Sequence, residues 1–202
     1  MLGFPEFEDI HRWCRDNIGK ERLEAELRRG MAYWIQSKVD CDCIIPQLAV
    51  WNIPDSPDEK MSVVLFIIAM QEWNDNRYDV MENLGKKCVA DGYFPGMAFL
   101  LSEAWMRMFT EEEKAESDRL GRKVSEYPDK RECMILVGRS LIGPEGLSFA
   151  EIKRSRKGTI SGYENPEYTF NIDPRSGLRS DLMNAFWQGA SGAIMAKFDA
   201  NN

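Results

Sequence analysis

Few side chains in this sequence can do chemistry at neutral pH, and their spacing limits what they can do together. The single histidine, His11, lies two residues before Trp13 in an amphipathic stretch. A Ser-His-Asp or Cys-His mechanism needs a base that a third group holds beside a nucleophile, and no nucleophile-elbow motif accompanies His11. A structural or surface histidine is expected. Zinc-hydrolase motifs of the H-E-x-x-H kind need a second histidine, which the chain lacks. Asp40-Cys41-Asp42-Cys43 sets two thiols two residues apart, on one side of an extended segment. Structural zinc usually takes four ligands from two such pairs, and there is no second pair. The flanking aspartates would also raise the thiol pKa values. Inert thiols at a strand entrance are the expectation, with no metal and no cofactor.

One catalytic pattern can be spelled out. Pro128-Asp129 followed by Glu151-Ile152-Lys153 matches the P-D…(D/E)-x-K signature of metal-dependent nucleases. In that chemistry Asp129 and Glu151 would bind Mg²⁺ from adjacent strands, and Lys153 would help activate water. The same letters recur at Pro54-Asp55, Pro57-Asp58 and Glu112-Glu113-Lys114, so geometry is the sharper criterion. With a turn at Gly143-Pro144-Glu145-Gly146, Glu151 falls opposite Gly138, which leaves Asp129 about 30 Å away along the strand. Ligands of one Mg²⁺ lie about 2.1 Å from it. The nuclease or phosphodiesterase reading therefore stands as the alternative, not the expectation. Phosphate-binding loops of the G-x-x-x-x-G-K-[ST] and G-x-G-x-x-G types are absent. The basic stretch Lys153 to Gly158 has no interleaved aromatics for base stacking, so it reads as a solvated strand end.

Glu103 is the remaining carboxylate of interest. In an extended Met97–Met108 it shares a face with Phe99, Leu101, Trp105 and Arg107. A buried carboxylate must be paired or protonated. An ion pair to Arg131, Arg139 or Arg154 would fix sheet register. Alternatively, Glu103, Trp105 and Arg131 would line a ligand pocket.

The elements that must position these residues follow from periodicity. Phe7, Ile10, Cys14 and Ile18, then Leu23, Leu27, Met31, Trp34 and Ile35, mark two amphipathic helices within residues 1–39, with a bend allowed at Gly30. Ile44 to Trp51 reads as a strand that Pro46 confines to an edge or a bulge. Ser62 to Met70 is apolar on both faces and reads as a central strand. Asp75 to Ala90 is helical, and Thr110 with Glu113 forms a capping box inside the polar loop 110–131. Glu132–Leu141 and Leu147–Arg154 form a hairpin, and alternating Tyr168, Phe170 and Ile172 add a strand. Leu178 to Phe198 closes the chain as a helix, with small residues from Gly189 to Ala193 that admit a close neighbour. The expected fold class is α+β, a mostly antiparallel sheet covered by helices. Residues 1–202 form one domain: helices to 39, a sheet core over 40–175, and a closing helix over 176–202.

Composition narrows the function classes. The chain has 202 residues, a formal charge of −7, 44% hydrophobic and 29% charged residues. It is a folded domain, and its acidity argues against nucleic acid or an anionic membrane as partner. The acidic amino terminus has no basic and apolar signal pattern, and no apolar run approaches the roughly 20 residues of a membrane span. Five scattered cysteines read as free thiols in a reducing cytoplasm.

Ser102-Glu103-Ala104-Trp105, then Tyr127-Pro128-Asp129-Lys130-Arg131-Glu132 and the strand after it, resemble a loose group of bacterial and phage proteins. That group shares an E-A-W strand, a polar loop, a P-x-x-R-E step and a hairpin. The resemblance covers about residues 60 to 155. It implies a prokaryotic or phage origin and an α+β sheet, and it implies no activity. The expected function is a non-catalytic binding, regulatory or assembly module. The expected partners are a second copy or another protein, engaged through the amphipathic helices that carry Trp34 and Trp187.

Overall fold

Residues 7–56, 58–107, 109–170 and 181–199 are described by the computed structural model. The two amphipathic stretches form α1 (Phe7–Ile18) and α2 (Lys20–Ser37). Gly19 separates them because a Cβ there would lie 2.2 Å from the Arg15 carbonyl oxygen. Helix α2 runs unbroken through Gly30, which lies against Leu136 instead of bending the helix.

The strands are β1 (Gln47–Asn52), β2 (Ser62–Ile67), β3 (Pro95–Met106), β4 (Arg131–Ser140), β5 (Glu145–Arg154) and β6 (Ile160–Phe170). They make one antiparallel sheet in the order β2-β1-β3-β4-β5-β6. Helix α3 (Met70–Ala90) links β2 to β3, α4 (Glu111–Leu120) lies between β3 and β4, and α5 (Asp181–Asp199) closes the fold. This is the α+β architecture that the sequence predicts.

Each face of the sheet has its own core. Trp51, Phe99, Leu101, Met134, Leu136 and Ile152 point to one face, where Leu23, Leu27 and Met31 of α2 cover β4 and β5. Leu48, Val50, Leu100, Val137 and Leu147 point to the other, under Met81 and Cys88 of α3 and Met183, Phe186 and Trp187 of α5. The first is the α2 face and the second the α5 face. The apolar stripe of α5 is thus spent on the sheet, and Trp187 is buried there. Helices α3 and α5 approach so closely that a Cβ on Gly85 would meet the Phe186 oxygen, and one on Gly189 the Glu82 oxygen. The small residues near Gly189 do admit a close neighbour, and it is α3.

Four expectations are corrected. The edge and interior strands exchange places: Ser62–Ile67 is the outermost strand, and β1 lies inside, between β2 and β3. Pro46 is no obstacle because it precedes β1, where its carbonyl accepts the Ile68 N–H at 3.0 Å. The hairpin loop is Leu141–Pro144, with Arg139 paired to Glu145 and Gly138 to Gly146. Gly146 is a strand residue because a Cβ there would lie 2.5 Å from Leu27 Cδ1. Helix α3 starts at Met70, five residues before Asp75, and takes a kink at Asn76 (φ −155°, ψ 60°). Strand β6 begins at Ile160, well before the alternation at Tyr168. Met108, Ile172 and Leu178, and the side chains of Phe7, Ile10, His11 and Phe198, lie outside the described residues.

Candidate functional site

The polar residues singled out by sequence form separate ion pairs and do not converge on one site. Strand parity sets Glu103, Trp105, Glu132 and Arg154 on the α2 face, at the end of the sheet away from the β4–β5 loop. Arg154 is the arginine that meets Glu103, Nη2 to Oε1 at 3.3 Å. It also grips Glu132 with Nε to Oε2 at 2.7 Å and Nη2 to Oε1 at 2.5 Å. Its Nη1 donates to the carbonyls of Asp42 and Gly158, both at 2.7 Å. A guanidinium has five N–H donors, and these contacts occupy all of them.

The other Glu103 oxygen accepts the Ile44 N–H at 3.2 Å. The corner is therefore a clamp on the connection between α2 and β1. That connection is stitched further by Ile160 N–H to the Cys41 carbonyl at 2.8 Å and Tyr163 hydroxyl to the Lys38 carbonyl at 3.0 Å. Burial, and next the neighbouring Glu132, push the Glu103 carboxyl above the usual range, while Arg154 holds Glu132 below it. Burial pushes the Tyr163 hydroxyl up to about 12. The Arg154 guanidinium thus has no N–H left over for a ligand.

Trp105 stands beside the clamp, half exposed, with Lys130 Nζ 4.7 Å from its ring centre. Arg131 lies on the α5 face, across the sheet from Glu103, and reaches Glu151 at 3.8 Å. The candidate pocket of Glu103, Trp105 and Arg131 is thus split by the sheet.

The P-D…E-x-K residues are likewise separate. Glu151 lies opposite Cys133, a five-residue change from Gly138, which puts Asp129 about 13 Å along β4 instead of 30. Both carboxylates are already engaged. Asp129 takes Arg107 Nε at 2.7 and 2.8 Å, and Arg107 also holds Glu113 at 2.9 Å. Glu151 takes Lys153 at 2.7 Å. Arg107 and Lys153 accordingly hold Asp129 and Glu151 below the usual carboxylate range. Among the described residues no three His, Cys, Asp or Glu side chains converge as a metal site.

The feature that stands apart is apolar. Helix α2 packs on β4, β5 and β6, so on the α2 face the cover thins at β1, where Ala49 and Trp51 are half-buried, and leaves β2 exposed. Val63, Leu65 and Ile67 lie opposite Trp51, Ala49 and Gln47, so their side chains point to this face. They are 51%, 49% and 68% exposed, and Tyr33 on the adjoining flank of α2 is 60% exposed. Gly30, Tyr33 and Trp34 of α2, Trp51 of β1, and Val63 and Leu65 of β2 line a groove of about 360 Å³. Its polar rim is neutralised internally, because Glu26 pairs with Arg22 at 2.8 Å and with Arg29 at 2.7 Å.

The backbone of β2 is also directed. Ile68 bonds to Pro46 of the inner neighbour, so by antiparallel alternation Phe66, Val64 and Ser62 also face β1. The N–H and C=O groups of Val63, Leu65 and Ile67 therefore face the side of β2 on which, among the described residues, no strand pairs. The same three residues supply the exposed side chains and the free backbone groups.

Sequence reasoning missed this site because Ser62 to Met70 looks like a buried strand. The available signal was that nothing in the run protects it: residues 61–71 contain no charge, no proline and no glycine. No family model matches the chain, and neither a curated protein nor a solved structure shows significant similarity to it.

Proposed function

We propose that this chain is a non-catalytic binding or assembly module whose working surface is the β1–β2 strip and its open edge. The observation that carries this reading is the row of Val63, Leu65 and Ile67, apolar side chains about half to two-thirds exposed side by side on one strand. Contiguous apolar surface beside a groove is costly to leave in water, and in folded proteins it marks interaction sites. The ionisable clusters support the same reading, because their charges are spent on one another and on the backbone. Five unpaired cysteines suit the reducing cytoplasm of a bacterial or phage-infected cell. Among the described residues no helix is long and apolar enough to cross a membrane.

The test is binding of an apolar fluorescent probe, anilinonaphthalene sulfonate, to the folded chain. The wild type should enhance its fluorescence, and Val63→Thr/Leu65→Thr/Ile67→Thr should lose most of that enhancement with unchanged near-UV circular dichroism. Equal enhancement by both proteins would contradict the reading.

A further inference from the structure

The two edges of the sheet are built differently. Strand β6 is defended: it carries Glu164, Pro166 and Glu167, Asn165 sits at φ 50°, and its register slips against β5 in two places. Charges, proline and bulges are the usual devices that keep an edge from pairing. Strand β2 has none of them. It pairs with β1 without a slip over its whole length, and the nearest charges are Lys60 and Glu72. An edge left regular and uncharged opposite a defended one is an edge meant to be paired.

We propose that β2 of a second copy of this chain completes that edge, antiparallel, with Leu65 on the twofold axis. The inference rests on the binding reading above and names its partner. Three considerations show that the strand is self-complementary and fix this register. First, opposed residues must share a face, so only registers whose paired numbers have an even sum keep both α2 faces on one side. Second, the outward groups belong to Val63, Leu65 and Ile67. Setting Val63 against the partner's Ile67, and Leu65 against the partner's Leu65, matches every outward N–H with a C=O within the strand. A shift of two residues toward Ser62 leaves Ile67 facing a residue outside β2. Third, the side chains suit each other. Branched aliphatic residues meet on the α2 face, and Val64 meets the partner's Phe66 on the α5 face, a favourable aromatic and β-branched pair.

The composition of the edge also permits self-pairing. The whole run 61–71 is uncharged, so pairing it with itself buries no charge and opposes no like charges. A six-residue edge is about 20 Å long, and a specific interface needs about 500 Å² from each side at its lower bound. An edge this short, with Val63, Leu65, Ile67 and Met70 as its exposed apolar side chains, places the dimer among small, reversible interfaces. Its product is a twelve-stranded sheet in which the two exposed strips join into one apolar trough.

Light scattering across a hundredfold range of concentration tests the proposal. The wild type should rise toward twice its 23.3 kDa chain mass, and Leu65→Lys should remain at one chain mass, its dimer dissociation constant raised at least tenfold. Leu65 is half exposed, so Leu65→Lys should fold normally. In a Cys41→Ser/Cys43→Ser background, Leu65→Cys should form a disulfide dimer on oxidation. Val64→Cys should not, because it faces the partner's Phe66. A wild type that stays monomeric, a Leu65→Lys that still dimerises, or faster cross-linking of Val64→Cys would each overturn the proposal. The probe-binding measurement separates the two readings. A monomer that binds the probe through Val63, Leu65 and Ile67 removes only the second copy, and a monomer that does not bind it removes both.

Discussion

The Ile68 amide donates to the Pro46 carbonyl at 3.0 Å, one residue outside the paired ends of β1 and β2. Proline has no N–H to return, so this half-bond marks the rim of the sheet. It also sets the phase of β2. Even-numbered residues bond inward, and Val63, Leu65 and Ile67 present their backbone outward.

Because those three side chains are already partly in water, polar replacements should cost little. Val63→Thr, Leu65→Thr and Ile67→Thr should each change unfolding free energy by less than about 1 kcal/mol, measured in urea as monomer. Leu101→Ala, which empties a buried position on the same face, should cost about 2–5 kcal/mol. A large loss at Leu65 in the monomer would mean that the strip is core.

The Arg154 clamp makes an asymmetric prediction. Glu132→Gln breaks a two-point contact and should destabilise by about 2 kcal/mol. Glu103→Gln keeps an acceptor for Ile44 and relieves crowding of two carboxylates, so it should stay within about 1 kcal/mol of wild type. Their pH dependences have opposite signs. The depressed Glu132 contributes stability above its unfolded pKa, about 4.3, that is lost as pH falls through its lower folded value. The raised Glu103 contributes stability below that unfolded value, lost as pH rises through its higher folded one. Acid titration of stability should therefore be steeper than wild type in Glu103→Gln and shallower in Glu132→Gln. Equal slopes would contradict the assignment.

The α3–α5 crossing predicts opposite outcomes at two glycines of one helix. A Cβ at Gly189 would lie 2.0 Å from the Glu82 oxygen, whereas Gly192 has nothing within 4 Å. Gly189→Ala should lower stability by about 3 kcal/mol or more. Gly192→Ala should raise it by about 0.5–1 kcal/mol through helix propensity. Thermal unfolding of the pair is the check.

Thiol reactivity should follow burial. Cys43 is exposed and Cys41 partly so, while Cys14, Cys88 and Cys133 are buried. Burial pushes Cys88 up to about 12 and Cys133 to about 11, and raises Cys14 as well. Ellman's reagent should titrate the Cys41 and Cys43 thiols in the native chain, and the three others only after denaturation. Fast native labelling of Cys88 would contradict the packing of α3.

Local patterns made the helices legible. The spacing of Cys14 and Ile18, and of Leu23, Leu27 and Met31, reports one buried stripe on each helix, and the Thr110–Glu113 capping box is read from its own four residues. Long-range relations were not legible. Gly146 spells a turn with Pro144, yet it exists to let Leu27 approach, and Leu27 lies far away in sequence. The β2 segment shows the same limit. Apolar residues on both faces indicate a strand without stating how many neighbours it has, so an uncovered edge and a central strand share one pattern. Glu103 was recognisable as a carboxylate in need of a partner. Which arginine served it depended on a hairpin register that Gly138 and Gly146 set through packing.

Amide hydrogen exchange along β2 tests the central claim most directly. At low concentration Val64 and Phe66, bonded to β1, should be protected, and Val63, Leu65 and Ile67 should exchange freely. At high concentration the latter three should become protected at least tenfold, and Leu65→Lys should abolish that gain. Protection of Val63, Leu65 and Ile67 that stays the same at every concentration would contradict the account.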